Sequence, residues 1–430
     1  MSIVFYYLLS HMIDIKAVRA NPEKMKENIE KRNLKVDLDT FLDMDKKIIQ
    51  LNQEMDGLKA SKNTFSKLIP TLSNEEKQIK LIEMKALWEQ EKNLNEQLKV
   101  LEKDYNAILY RLPNFLDETA AIGPDDSGNV VEKTFLEPTQ FDFEPKTHYE
   151  IWEKKWWIDT EKWSEISGAR FWYVKWDLVF LQFAIIQYAL LKLSSKWFSP
   201  ILPPVLVREP AMFGTWFLPA WEDWVYRVNE KDDDLYLVGT AEVPVTSYHA
   251  GEIIEDLTTP IKYVWYSECF RKEAWSAGKD MRWILRGHQF QKVEMVCFCK
   301  QEDSQKLHNE MVEVEEEIWQ GLKIPYQKLN VCSGDLGNPA MKKYDLEAWM
   351  PWQQKFREVT SCSNVWEYQS RRLWIRYREE GKTKYAHTLN GTVIALSRCL
   401  IAIIENYQDK NGDVVIPEVL RPFMWGKEKI

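Results

Sequence analysis

The segment Phe270–Glu294, FRKEAWSAGKDMRWILRGHQFQKVE, concentrates residues able to handle a nucleoside triphosphate. Before it, IKYVWYSECFRKE alternates apolar and polar residues as a half-buried strand does, which places Arg271 and Glu273 on one face. After it, HQFQKVEMVCFC alternates again, so Phe290 and Glu294 share a face. A hairpin of these strands around a flexible basic loop assembles an arginine for a phosphate, an aromatic ring for a base, and carboxylates for an ammonium group or a metal ion. That points to chemistry on ATP. An Arg and a Glu two apart on a strand are, taken alone, more often a solvated edge. A second segment adds weight: DLYLVGTAEVPV is apolar enough for a central strand, yet it sets Thr240 and Glu242 on one face, where polar groups need partners.

Such residues need a body to position them. In the N-terminal part, Phe41, Met44, Ile48, Leu51, Met55, Leu58, Phe65 and Ile69 recur at spacings of three and four, with Lys62 interrupting the seam. Met84, Leu87, Leu94, Leu98, Leu101, Tyr105, Ile108 and Leu112 resume the pattern, and Glu91 interrupts it once. Between them LIPTLSNEE supplies a breaker, Pro70, and an N-cap, Ser73. Each apolar stripe must be covered, and the nearest cover is its sequence neighbour, so an antiparallel coiled-coil hairpin is predicted. From about Pro113 to Lys146 the chain is rich in Pro, Gly, Asp and Asn and reads as a linker. From His148 onward helical runs such as LVFLQFAIIQYALLKLSSK alternate with strands, which predicts an α+β domain on an antiparallel sheet.

Composition sets bounds. A chain of 430 residues can bury a sizeable core and form two domains. Its net charge of −9 excludes a uniformly basic nucleic-acid surface. A nucleic-acid partner would meet local clusters instead, such as Lys59, Lys62, Lys67, Lys77, Lys80 and Lys85 near the predicted hairpin tip. The cysteines at 269, 297, 299, 332, 362 and 399 show no CxxC and no Cys/His spacing suited to zinc. Reduced thiols, a cytoplasmic location and no structural zinc are expected. The opening MSIVFYYLLSH is apolar but lacks a basic start and is too short to span a bilayer. Nothing else reads as transmembrane length, and no membrane partner is expected.

The segments GTAEVP, FRKE with HQFQKVE, REVTSCSN, HTLNGT with Arg398, KYDLEAWMP and the ending PEVLRPFMWGKEKI resemble the motifs of bacterial-type seryl-tRNA synthetases, which are class II aminoacyl-tRNA synthetases. The resemblance runs from Met12 to Ile430. It implies a class II synthetase catalytic domain on an antiparallel sheet, preceded by the coiled-coil hairpin. Residues 1–11 are then a mis-assigned start or a dispensable extension, 12–112 a tRNA-binding arm, 113–147 a linker and 148–430 the catalytic domain.

What the resemblance implies chemically is an ATP-dependent, homodimeric serine–tRNA ligase that forms seryl-adenylate and passes the acyl group to the terminal ribose of tRNA(Ser). Arg271 is the implied cation for the α-phosphate, and Arg398 the one for the far phosphates. Thr240, Ala241, Glu242, Glu294 and Thr392 match the family's contacts to L-serine. Lys272, Glu273, Gly287, Phe290, Glu358, Val359, Thr360 and Ser361 join the two arginines around ATP, with Phe290 stacking on adenine. Glu358 and Ser361 are the implied Mg²⁺ contacts, oxygen ligands being what a hard cation takes. The arm is implied to hold the long variable arm of the serine tRNA. Thr392 alone reads equally well as a helix cap. His288 and His387 are expected to be structural hydrogen-bonders, since this chemistry needs no imidazole nucleophile. Charging of a selenocysteine tRNA stays open, as do a carrier-protein-loading homologue, expected to lack the arm, and a non-catalytic binding protein on the same fold.

One compositional anomaly crosses this reading. The chain holds 20 Trp and only 16 Gly, whereas roughly 30 Gly are usual at this length. Trp156, Trp176, Trp197, Trp216, Trp221, Trp224, Trp265, Trp275, Trp283, Trp352, Trp366, Trp374 and Trp425 fall where the family pattern carries glycine, whereas Trp349 fits the family. Either UGA codons meant as glycine stand here as tryptophan, or the chain is a Trp-rich paralogue with a filled active site.

Overall fold

The structure, a computed structural model, describes residues 13–159, 161–229, 234–273 and 284–430. The opening stretch 1–11 and most of the basic loop, with Trp275 and Trp283, lie outside the described residues. Two compact units form, the smaller from Asp14–Glu30 and Leu34–Leu112 and the larger from Lys31–Asn33 and Pro113–Ile430.

The smaller unit is built on two long helices, α1 (Leu38–Leu68) and α2 (Asn74–Leu109). Pro70 lies in the 3₁₀ turn that ends α1. Ser73 then caps α2 in a capping box, its backbone N–H donating to Glu76 Oε2 at 2.9 Å. Leu51 and Met55 of α1 pack with Leu98 of α2, flanked by Ile48, Leu94 and Leu101, and Phe41 stacks on Tyr105 with ring centroids 4.7 Å apart. The two residues that interrupt the apolar seams meet each other: Lys62 of α1 is ion-paired with Glu91 of α2.

The larger unit is organised around an eight-stranded sheet. Its strands are β1 (Val130–Phe135), β2 (Ser199–Pro200), β3 (Ile261–Phe270), β4 (Gln289–Cys299), β5 (Tyr326–Asn330), β6 (Lys342–Met350), β7 (Lys355–Trp366) and β8 (His387–Ala395), in the spatial order β1-β5-β6-β7-β8-β4-β3-β2. All neighbours are antiparallel except β2 and β3. Helices α3 (Asp177–Ser195), α4 (Ser304–Gly321) and α5 (Leu396–Asn406) contribute Leu181, Ile185, Met311, Ile318, Leu400 and Ile403 to one core with Val293 and Met295 of β4 and Leu346 of β6. Burying an aliphatic side chain of this size contributes about 1.5–3 kcal/mol, which fixes the helices on that side of the sheet.

Four sequence expectations change. The stretch 113–147 is more than a linker, because its Val-rich VVEKTF forms the edge strand β1 on β5. Helix α3 is, contrary to the sequence reading, long and apolar enough to cross a membrane; here its Leu178, Leu181, Ile185, Ala189 and Leu193 are buried in the core. The expected strand through DLYLVGTAEVPV stops at Leu237, the middle strand of a small three-stranded sheet, and Glu242–Thr246 is helical. Pro244 accounts for that, since it has no N–H for a ladder but suits a first helical turn. Arg271 and Glu273 lie beyond the end of β3, and Glu273 has φ 49°, so they do not share a strand face.

Candidate active site

Strand register lines up the site. Glu294 of β4 lies opposite Thr392 of β8, and Thr392 lies opposite Ser361 of β7. On the far side Ser361 pairs with Asp345 of β6. A polar row thus crosses four adjacent strands at one level. Two irregularities create it. The β6–β7 register steps from Leu346↔Thr360 to Glu347↔Glu358, leaving Val359 without a partner. The β4–β8 register skips Val393 in the same way. A bulge resets the two-residue alternation, so Glu358 and Ser361, three apart, both open to solvent while Val359 and Thr360 are buried between them.

Above this row is a cavity of about 430 Å³. Thr240, Glu242, Arg271, Glu273, Gly287, Phe290, Glu294, Glu358, Val359, Thr360, Ser361, Thr392 and Arg398 all line it. Two expected residues do not. Ala241 is buried as the N-cap of the short helix 242–246. Lys272 donates its backbone N–H to Trp224 at 2.8 Å, with its ammonium 5.8 Å from the Tyr226 ring.

At one end the Glu294 carboxylate is a buried hub. It accepts the Thr240 hydroxyl at 3.1 Å and the Thr392 hydroxyl at 3.3 Å, and it pairs with Lys292 Nζ at 2.6 Å. Lys292 also donates to Thr392 Oγ1 at 3.1 Å. Glu242 Oε1 accepts from Gln369 Nε2 at 2.6 Å and Asn390 Nδ2 at 2.9 Å. Burial, followed by the nearby Glu294, pushes the Glu242 carboxyl up to about 7. In the middle, the Arg271 guanidinium lies 5.2 Å from the Phe290 ring and 6.0 Å from Trp221, with Nε donating to the Gly239 carbonyl at 3.2 Å. Arg286 Nη1 contacts Glu273 Oε2 at 3.4 Å. At the other end Arg398 Nη1 donates to the Glu358 carbonyl at 2.7 Å and lies 3.3 Å from Oε2. Desolvation opposes ionisation of Glu358, but Arg398 and then Lys343 outweigh it and hold the carboxyl below its usual range. Thr360 turns inward and donates to the buried Glu315 at 2.9 Å, anchoring the bulged segment.

The arrangement offers cations for phosphates, a ring face for a base, and a buried polar cluster for a small polar ligand. Two family models match parts of the chain: the seryl-tRNA synthetase N-terminal domain over residues 12–116, and the tRNA synthetase class II core domain (G, H, P, S and T) over 225–407. A serine–tRNA ligase of Dictyoglomus turgidum is 43% identical over 418 residues, 96% of this chain and 98% of that protein. The chain belongs to the seryl-tRNA synthetase family. Another serine–tRNA ligase, from Thermodesulfovibrio yellowstonii, is 42% identical over 96% of this chain and 99% of its own length. Among solved structures, the seryl-tRNA synthetase from Pyrococcus horikoshii complexed with ATP superposes with a TM-score of 0.88 at 36% identity, covering 97% of this chain and 99% of that one. The cytoplasmic serine–tRNA ligase of Naegleria fowleri in complex with AMP gives 0.81 at 32% identity, over 95% of each chain. A prolyl-tRNA synthetase of Giardia lamblia, at 17% identity and a TM-score of 0.56 over 64% of this chain, shares the fold.

Some residues of this cavity escaped the sequence reading. Lys292 and Asn390 sit two residues before Glu294 and Thr392 on the same strands, so strand alternation alone could have found them. Gln369 comes from the short helix Tyr368–Leu373, and nothing local in the sequence marks it. Of the two histidines expected to be hydrogen-bonders, His288 Nδ1 contacts the Arg271 carbonyl at 2.9 Å. His387 Nδ1 has no hydrogen-bond partner among the described residues, its ring lies edge-on to Trp366, and burial pushes it down to about 3.

Proposed function

We propose that this chain attaches L-serine to tRNA(Ser) in two steps, both in the cavity above the sheet. The observation that supports this most directly is the buried hub at Glu294, where a carboxylate, two threonine hydroxyls and Lys292 converge beside Arg271. A pocket that hydrogen-bonds a substrate hydroxyl rejects analogues lacking it far better than an apolar pocket does. Glu294 and Glu242 receive the ammonium and hydroxyl of serine, with Thr240 and Thr392 completing the contacts.

In the first step a serine carboxylate oxygen attacks the α-phosphorus of ATP. The bond to the β,γ-diphosphate breaks, and seryl-adenylate and diphosphate result. Charge builds on the α-phosphate oxygens, and Arg271 meets it from a fixed position set by its bond to the Gly239 carbonyl. Phe290 offers the adenine a ring face, Glu273 stands near the base or ribose, and Arg398 meets the far phosphates. In the second step a hydroxyl of the tRNA's terminal ribose attacks the acyl carbon and AMP leaves.

Glu358 and Ser361 are suited to hold Mg²⁺ against the phosphates. The Glu358 carboxyl is held ionised and open to the cavity, and the bulge brings Ser361 onto the same side. Mg²⁺ keeps several waters and takes few protein oxygens, so this small donor set fits it; bound there, the ion would neutralise phosphate charge.

Partners follow the same reading. Lys67, Lys77 and Lys85 near the hairpin tip have no ion-pair partner among the described residues, which leaves them available to tRNA phosphates. A homodimer is supported by the apolar outer face of α3, where Phe180, Phe183 and Leu191 are exposed. A cytoplasmic location fits six free, buried cysteines. The carrier-protein-loading alternative is disfavoured by the long hairpin, which such a homologue has no use for. Serine-dependent exchange of diphosphate into ATP, followed by acylation of tRNA(Ser), tests the proposal; exchange with no amino acid would leave a binding protein on this fold.

A further inference from the structure

Among the described residues, fifteen other than glycine have positive φ, and seven of them are tryptophan: Trp156, Trp176, Trp197, Trp216, Trp366, Trp374 and Trp425. Only five glycines do so. The left-handed region is glycine's by default, because a Cβ there crowds the following carbonyl, and a large side chain gains nothing by occupying it. The other eight are spread over Asn, Leu, Arg, Glu, Lys and Gln, none contributing more than two. Tryptophan alone is concentrated.

Each of the seven stands in a place where glycine has a specific structural use. At five of them the next residue's N–H reaches back five residues to a carbonyl, the bond that closes a helix end through a left-handed residue. These are Trp157 to Trp152 at 2.9 Å, Phe198 to Leu193 at 3.1 Å, Phe217 to Met212 at 2.8 Å, Ile375 to Ser370 at 2.9 Å and Gly426 to Arg421 at 2.9 Å. The left-handed residues between are Trp156, Trp197, Trp216, Trp374 and Trp425. Trp176, which precedes α3, has φ 58° and ψ −138°, a conformation nearly confined to glycine. Trp366 lies where the β7–β8 register breaks after Asn364, and a left-handed residue in such a bulge is ordinarily glycine.

At four of the seven, exposure leaves packing little reason for an indole. Trp197 is 88% exposed, Trp425 77%, Trp156 72% and Trp176 68%. Trp216 is half-buried, but it lines the substrate cavity and its Nε1 has no hydrogen-bond partner among the described residues. By contrast Trp319 is fully buried in the core and donates to the Val393 carbonyl at 3.3 Å. Two kinds of tryptophan position therefore exist in one chain.

We propose that the functional protein carries glycine at these seven positions, encoded by UGA codons that its translation system reads as glycine, and tryptophan at positions such as Trp319 and Trp349, encoded by UGG. Glycine at Trp216 removes an indole from the cavity wall and enlarges the space for substrate. Trp221, Trp224, Trp265 and Trp352 do not have positive φ, so backbone geometry makes no demand for glycine there.

Peptide sequencing by mass spectrometry, on the protein isolated from its own cells, reads the positions without reference to any activity. Glycine at all seven, over UGA codons in the gene, is the expected result. Tryptophan at any of the seven, or UGG codons there, overturns the proposal. A second measurement tests the backbone argument on the recombinant 430-residue chain. Trp156→Gly, Trp374→Gly and Trp425→Gly should each raise the thermal midpoint, by roughly 1–3 °C, while Trp319→Gly lowers it. A fall in all three variants overturns the assignment of these positions to glycine.

Discussion

Glu294 and Thr392 face each other on neighbouring strands, and the carboxylate accepts the threonine hydroxyl at 3.3 Å while holding Lys292 at 2.6 Å. Removing the carboxylate leaves a buried ammonium and two hydroxyls without their shared acceptor. Glu294→Ala should therefore raise the KM for serine by about 5- to 100-fold, the equivalent of about 1–3 kcal/mol, with little change in the KM for ATP. An equal rise for both substrates in exchange kinetics would remove Glu294 from serine recognition.

In the proposed reaction Arg271 meets charge that develops only as the α-phosphate reacts. Arg271→Ala should lower serine-dependent ATP–diphosphate exchange by about 10²–10³-fold while far-UV circular dichroism stays unchanged. Near-normal exchange in a folded variant would assign the α-phosphate to another cation.

Glu242 gives the site a pH dependence. With its carboxyl pushed up to about 7 by burial and by Glu294, it is protonated in mild acid and ionised above neutrality. Serine's ammonium is attracted to the ionised form, so the KM for serine should fall as pH rises from about 6 to about 8, and Glu242→Gln should flatten that limb. Stability runs the other way. The folded protein holds this proton between the ordinary value of 4.5 and about 7, so this group's contribution to stability declines as pH rises through that window and levels off above it. A wild-type profile that matches Glu242→Gln would exclude the group from both effects.

The hairpin lysines are expected to act on tRNA through phosphates alone. Replacing Lys67, Lys77 and Lys85 with alanine should weaken tRNA(Ser) binding and reduce the slope of log affinity against log salt by about one per lysine, leaving exchange without tRNA unchanged. An unaltered salt slope would make the hairpin a purely structural element.

The ion pair of Lys62 with Glu91 sits in an otherwise apolar seam, each side chain 21% exposed. Lys62→Leu alone strands a carboxylate and should destabilise the smaller unit by about 1–3 kcal/mol, whereas Lys62→Leu with Glu91→Leu should be neutral or stabilising. Chemical denaturation followed by circular dichroism distinguishes these outcomes, and additive effects of the two changes would mean that the pair carries no coupling.

Period and punctuation were enough for the hairpin. The three-and-four spacing from Phe41 to Leu112, Pro70 and the Ser73 cap are local signals, because a helix is made of contacts three and four residues apart. The sequence, chiefly through its family resemblance, also marked thirteen residues that meet in one cavity. Their motifs are short, and each carries its own polar residues into an apolar surround. What it could not give was their phase. Strict alternation sets Glu358 and Ser361 on opposite faces, and only the bulge at Val359, formed where β7 pairs with β6, turns both toward the cavity. Glu242 read as a strand residue until Pro244 ended that option, and its amide partners arrive from Gln369 and Asn390, more than a hundred residues away. The tryptophan excess was countable from the first line, yet which indoles stand in glycine's place depends on φ, and φ is set by how helix ends and bulges close within the folded chain.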